Sequence, residues 1–299
     1  MTQRLSPGTA LLLTVPPLMW AGNAVVGRAV HDLIPPMTLN FLRWVVAFAI
    51  LLPLAGWVLR HSSGLWAHWR RFALLGLLGV GCYNALQYLA LQTSTPLNVT
   101  LVASSTPLWM LGVGALFFGA KVTRLQLAGA LLSIAGVLVV LSRGQWALLL
   151  QLRVAAGDGF VLLATACWAG YSWLLSRRAE PDAIRNDWAA FLLAQVVVGL
   201  GWATLFAGAE WTLTDARIVW GWPLVAALLF VAIGPAVLAY RCWDKGVQLA
   251  GPAMAGFFSN LTPLFAALMS SLFLGDLPQP YHVLAFALIV GGIVVSSRK

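Results

Sequence analysis

Thr106-Pro107-Leu108 stands in the middle of one long apolar run and returns 156 residues later, as Thr262-Pro263-Leu264, in the middle of another. Overlaid without a gap, residues 96–143 and 252–299 also share Leu116-Phe117-x-Gly119 with Leu272-Phe273-x-Gly275, and Gly136 with Gly292. The chain is an internal duplication. A proline inside a helix strips the carbonyl four residues earlier of its N–H partner, here Ala103 and Ser259. In a bilayer such backbone persists only where it is buried in protein or lines a wet cavity. Paired interruptions at corresponding positions of two halves point to a substrate path through the membrane.

Composition bounds the class. An apolar fraction of 61% with 9% charged residues, and a mean hydropathy of +0.87, lie far outside the range of soluble domains. The chain reads as an integral membrane protein whose partner is the lipid bilayer. The net charge of +9 does not indicate nucleic acid, because Lys and Arg sit singly or in pairs at the ends of apolar runs. Cys82, Cys167 and Cys242 lie inside apolar runs without metal-ligand or redox spacing, and read as small buried residues. The first apolar stretch superficially resembles a signal peptide. Its Trp20-Ala21-Gly22 recurs as Trp168-Ala169-Gly170, so it reads as a first membrane span.

A helix needs about 20 apolar residues to cross the hydrocarbon. On that basis ten spans are expected, near 9–29, 36–57, 72–92, 95–118, 124–141, 158–176, 188–206, 221–243, 252–274 and 281–297. The fold class is therefore all-α, with residues 1–150 and 151–299 as two five-helix repeats. A unit with an odd number of crossings reverses direction when repeated in tandem, so the repeats are inverted. With both termini cytoplasmic, one side collects Arg4, Arg60, Arg70, Arg71, Lys121, Arg124, Arg177, Arg178, Arg185, Arg241, Lys245, Arg298 and Lys299, against Arg28, Arg143, Arg153 and Arg217 on the other. That asymmetry predicts a cytoplasmic N-terminus and C-terminus. Small residues such as Gly112 and Gly114, Gly129 with Ser133, Gly199 with Gly201, and Gly291 with Gly292 are expected to let helices pack closely. Most tryptophans fall at span ends, as an interfacial belt.

The mid-span polar and aromatic residues are the candidate site. Trp20 and Asn23 lie in the first span; Tyr83, Asn84, Gln87 and Tyr88 in the third; Ser105 and Trp109 beside the fourth span's proline. The second half supplies Trp168 and Tyr171, then Tyr240 and Trp243, then Phe257 and Asn260 beside the ninth span's proline. Interhelical hydrogen bonding is the bland alternative for any one of them. No Asp or Glu is expected in the middle of a span, with Asp158, Asp187, Asp244 and Asp276 at or near ends. That argues against proton-coupled export through a buried carboxylate. Arg43 is expected to snorkel outward, with Asn40 one turn earlier able to cap it. A cavity of aromatic, amide and hydroxyl groups suits a neutral or zwitterionic small molecule with an apolar body, such as a hydrophobic or aromatic amino acid, and equally many neutral metabolites. The freed carbonyls are expected to face an ammonium and the exposed N–H groups a carboxylate. His31, His61, His68 and His282 fall in connections or at span edges, so a membrane enzyme, a metal site and a cofactor are not expected.

Trp20-Ala21-Gly22-Asn23 and the duplicated 96–140 and 252–295 segments resemble the drug/metabolite transporter superfamily, EamA type, over nearly the whole chain. The resemblance implies a bacterial inner-membrane exporter of small metabolites with a central cavity between the halves. Within the family, the aromatic third and sixth spans resemble the YddG-like exporters of aromatic amino acids. Members often carry an acid just after the fourth and ninth spans; here Asp276 has only Ala120 as its counterpart. The expected mechanism is alternating access by rocking of the halves, with hinges near Pro107 and Pro263, as facilitated efflux. Export of other neutral metabolites or drugs with ion coupling stays open, as does the oligomeric state.

Overall fold

A computed structural model describes residues 5–94, 96–151, 153, 155–274 and 279–298. Arg4, Gly275, Asp276 and Lys299 lie outside the described residues, as do the side chains of Arg28, Leu272 and Phe273. Among the described residues there is no strand. The described residues form ten rods long and apolar enough to cross a membrane: spans 1 to 10 run Pro7–Gly27, Pro36–Leu59, Trp66–Ala90, Asn98–Phe118, Arg124–Leu141, Ala156–Ser176, Trp188–Leu213, Trp222–Ala250, Pro252–Met269 and Pro280–Ser297. Span 8 continues seven residues past the expected stop at 243. Asp244 and Lys245 look like a boundary in the sequence, but the helix Ala239–Ala250 continues through both, with Asp244 buried and Lys245 exposed.

Both proline breaks are present and equivalent. Span 4 is interrupted between the helices Pro96–Ala103 and Thr106–Phe118, and span 9 between Pro252–Phe258 and Leu261–Leu274. Each freed carbonyl is given one local donor. The Thr106 hydroxyl donates to the Ala103 carbonyl at 2.6 Å, and the Thr262 N–H donates to the Ser259 carbonyl at 3.0 Å. Spans 3 and 8 hold a second pair of irregularities. Each contains a π-helical stretch, Gly76–Cys82 and Ala232–Leu238, again 156 residues apart. In span 8 the cause is Pro235, which has no N–H to donate; in span 3 it is the loose backbone of Gly76, Gly79 and Gly81. Widened turns of this kind are frequent at functional sites.

Close packing holds the remaining spans together. Spans 5 and 10 run antiparallel in contact along their length, and a Cβ placed on Gly129 would stand 2.6 Å from the Gly292 carbonyl, as one on Gly292 would from that of Gly129. Gly114 and Gly199 likewise receive Trp173 and Val80, whereas Gly112 and Gly201 have open space beside them. Spans 2 and 7 are tied by Glu210, which accepts from the N–H groups of Met37 and Thr38 at 2.9 and 2.8 Å at the N-terminus of span 2. At the arginine-rich end, Glu180 is sandwiched between Arg71 and Arg185, each 2.5 Å away.

Candidate functional site

Residues of span 1, of the helix after the first π-helical stretch and of the two proline breaks build the site. Span 1 contributes Trp20 and Asn23, the helix after the first π stretch contributes Tyr83, Asn84, Gln87 and Tyr88, and the two proline breaks contribute Ser104, Thr106, Ser259 and Asn260. Together they line a cavity of about 440 Å³. It occupies the half of the bundle away from the arginine-rich end, since its outermost walls are Val25, Gly27 and Leu91, where spans 1 and 3 finish. A volume in this range, mostly apolar with a few convergent polar groups, suits a small molecule.

Of the sixteen site residues expected from sequence, the structure brings eight to the cavity wall: Trp20, Asn23, Tyr83, Asn84, Gln87, Tyr88, Asn260 and Pro263. Ser105 and Trp109 turn off it. Ser104 takes the place expected of Ser105, one residue being about 100° of helix rotation, and the Ser105 hydroxyl donates to the Val102 carbonyl instead. Pro107 is buried behind the break, close to Gly256. Trp168, Tyr171, Tyr240, Trp243 and Phe257 are all fully buried.

The first four of those buried rings form a dry aromatic plug at the floor of the cavity. Trp168 is its centre: its ring stacks on Tyr83 at 4.4 Å and on Tyr171 at 4.9 Å, and meets Trp20, Trp243 and Tyr240 at 5.1, 5.2 and 5.4 Å. Such offset and edge contacts are the favoured arrangements of aromatic quadrupoles. Backbone and hydroxyl partners fix the other rings. Trp20 donates to the Pro235 carbonyl at 3.4 Å, Trp243 to the Ser172 hydroxyl at 3.1 Å and Tyr240 to the Gly79 carbonyl at 2.5 Å. Both acceptor carbonyls lie in the π-helical stretches, which is how those turns position the plug. The Trp168 indole N–H and the Ser259 hydroxyl are buried without a hydrogen-bond partner among the described residues.

Two corrections change the electrostatics of the site. Arg43 does not snorkel: it is fully buried, with Nη1 donating to the Tyr88 hydroxyl at 3.2 Å and to Asn23 Oδ1 at 3.5 Å. Asn40 does not cap it either, donating to the Val80 carbonyl at 3.1 Å. The cavity wall therefore has a guanidinium directly behind it, whose Nε and Nη2 have no hydrogen-bond partner among the described residues. Asp244 is not at a span end but buried inside span 8, accepting from the Tyr171 hydroxyl at 2.9 Å and from Gln195 Nε2 at 3.4 Å. The expectation of uncoupled efflux rested on there being no such acid and loses its support. Arg43, Gln195 and Asp244 are the residues that sequence reading missed. One signal was available for Asp244: it stands 156 residues after Tyr88 and one turn after Tyr240.

The EamA-like transporter family profile matches residues 8–142 and, a second time, residues 155–298. The chain belongs to this family. It is a multi-pass membrane transporter and not an enzyme. It is 28% identical over 298 residues to the aromatic amino acid exporter YddG of Ancylobacter novellus, covering 94% of this chain and 93% of that one. It is 25% identical over 285 residues to the uncharacterized inner membrane transporter YedA of Escherichia coli strain K12, covering 93% and 87%. A crystal structure at 23% identity superposes over 97% of both chains with a TM-score of 0.72, a likeness of fold. Within this EamA-like transporter the duplicated breaks, the cavity and the plug all sit where the two matched segments meet.

Proposed function

We propose that this transporter exports hydrophobic or aromatic amino acids across a bacterial inner membrane by alternating access of its central cavity. The observation that carries the reading is the chemistry of the cavity wall: Trp20, Tyr83 and Tyr88 offer apolar faces, while Asn23, Asn84, Gln87 and Asn260 offer directed amides. Arg43, held behind Asn23 and Tyr88, gives one side of that wall a positive charge suited to a carboxylate. The similarity to an exporter of aromatic amino acids and to an inner membrane transporter supports the same reading. With the arginine-rich end cytoplasmic, the cavity opens outward and the plug seals the cytoplasmic side. Rocking of the halves about Pro107 and Pro263 then exposes the site to the cytoplasm for loading.

The test is counterflow in proteoliposomes of the purified chain, with radiolabelled phenylalanine, leucine, lysine and glutamate and no ion gradient. Accumulation of phenylalanine and leucine above lysine and glutamate is the expected result. Protein that is folded by size exclusion and circular dichroism yet accumulates none of the four would overturn the amino acid assignment.

A further inference from the structure

Two three-residue polar clusters occupy equivalent places in the two halves. In the first, Arg43 donates to Tyr88 and Asn23, and the Tyr88 hydroxyl donates to Asn23 Oδ1 at 3.0 Å. In the second, the Tyr171 hydroxyl lies 2.9 Å from both Gln195 Oε1 and Asp244 Oδ1, and Gln195 Nε2 is 3.4 Å from Asp244 Oδ2. Asn23 and Tyr171 each follow the tryptophan of a Trp-Ala-Gly by three residues, and Tyr88 and Asp244 each follow the start of a π-helical stretch by twelve. Arg43 and Gln195 come from spans 2 and 7. The geometry is shared and the charge is opposite.

Neither charge forms an ion pair among the described residues. Arg185, whose field reaches Asp244, is committed to Glu180 and to the Leu175 carbonyl, both at 2.5 Å. A buried carboxylate with neutral partners only is incompletely compensated. The Asp244 cluster is also one proton short, since a single hydroxyl hydrogen on Tyr171 faces two acceptors. A cation with several N–H donors would supply both the charge and the missing hydrogen bond.

Inverted repeats exchange roles when a transporter changes state, so the cavity of the opposite state draws on the second-half counterparts of the present wall. Trp168, Tyr171, Tyr240, Trp243 and Asp244 are those counterparts of Trp20, Asn23, Asn84, Gln87 and Tyr88. A carboxylate among the faces of Trp and Tyr rings is the surrounding that binds ammonium groups. We infer that Asp244, with Trp168, Tyr171 and Trp243, is an ammonium subsite of the cavity that opens at the arginine-rich end when the present cavity closes. The inference rests on the alternating-access reading above and narrows it: substrates carry an amine, which Asp244 takes on loading, while the Arg43 cluster meets the carboxylate on release. Neutral metabolites without an amine lose the Asp244 contact.

The test uses the full chain in nanodiscs, with phenethylamine as the amine-only probe and 3-phenylpropionate as the acid-only probe, read by quenching of tryptophan fluorescence. Phenethylamine is expected to bind saturably, with affinity at least tenfold weaker in Asp244→Asn. As a measurement needing no variant, carbodiimide labelling of Asp244 read by mass spectrometry should be slowed by phenethylamine and not by 3-phenylpropionate. Unchanged phenethylamine affinity in Asp244→Asn, no saturable phenethylamine binding to the wild type, or labelling indifferent to the amine would each overturn the inference. So would an Asp244→Asn protein that binds the amine normally and loses only its response to an imposed pH gradient, which would make Asp244 a proton site. Amine binding that survives alongside failed amino acid counterflow would sink the exporter assignment and leave the subsite standing.

Discussion

Trp20 and Trp168 begin the same tripeptide in the two halves and meet edge to face at 5.1 Å, yet one borders a cavity and the other is sealed among five rings. The pairs Tyr88 and Asp244, Asn23 and Tyr171, and Arg43 and Gln195 divide in the same way. The first of each pair lies at or behind the cavity wall, the second in the plug or hydrogen-bonded to its Tyr171. Duplication has kept the backbone irregularities at equal spacing while the side chains on them diverged in charge. Backbone symmetry supplies two interchangeable states; side-chain asymmetry lets the two openings present different chemistry.

The largest expected effect separates the two tryptophans. Trp168→Ala removes the centre of the plug from a fully buried place, and deleting a buried Trp costs about 3–5 kcal/mol. Trp20→Ala leaves its void open to the existing cavity and is expected to cost markedly less. Thermal unfolding in detergent, monitored by circular dichroism, checks the order; equal losses would mean the plug is not a packed unit. Trp168→Phe, which keeps a ring, is then the variant suited to transport assays.

Next in size is an exchange of charge between the clusters. Gln195→Arg places a guanidinium beside Asp244 and is expected to lock the plug as a buried ion pair, lowering phenylalanine counterflow by about 10–100-fold, the equivalent of the roughly 1.5–3 kcal/mol of a charged hydrogen bond. Arg43→Gln copies the second cluster's neutral residue into the first, and should raise KM for phenylalanine by a similar factor. Normal counterflow in both variants would show that the clusters only hold helices together.

The ten spans, their inverted pairing and both proline breaks were legible in the sequence because each rests on a local signal: a long apolar run, an odd count of crossings, a Pro at equal spacing. The cavity wall was legible in half. Ser104 rather than Ser105 needs a helical phase, and that phase is reset at a break whose turn the sequence does not specify. Arg43 and Asp244 were misread for one shared reason. A lone charge within reach of a span end is expected to reach the interface, Arg43 by snorkelling and Asp244 by standing at the boundary, and only the tertiary partners, Asn23 and Tyr88 for one and Tyr171 and Gln195 for the other, reveal each as buried. The π-helical stretches were signalled by Gly76, Gly79, Gly81 and Gly234-Pro235, but small residues in membrane helices are equally a packing device.

Small residues also give a sharper contrast than their sequence suggests. Gly129→Ala would push a Cβ into the Gly292 carbonyl, whereas the Cβ of Gly112→Ala meets nothing within 4 Å. Overpacking of this kind costs about 1–3 kcal/mol, so the first should lower the unfolding temperature and the second should leave it unchanged. Equal effects would mean that spans 5 and 10 part more readily than their contact implies.

The smallest contrast lies at the breaks themselves. Thr106 spends its hydroxyl on the Ala103 carbonyl, while the Thr262 hydroxyl has no partner among the described residues and its backbone N–H serves Ser259 instead. A net hydrogen bond is worth about 0.5–1.5 kcal/mol, so Thr106→Val should destabilise by that amount and Thr262→Val by less. If Thr106→Val left stability untouched, the first break would have to satisfy its carbonyl through a rearranged turn, and closure of each break by its own threonine would no longer explain the pair.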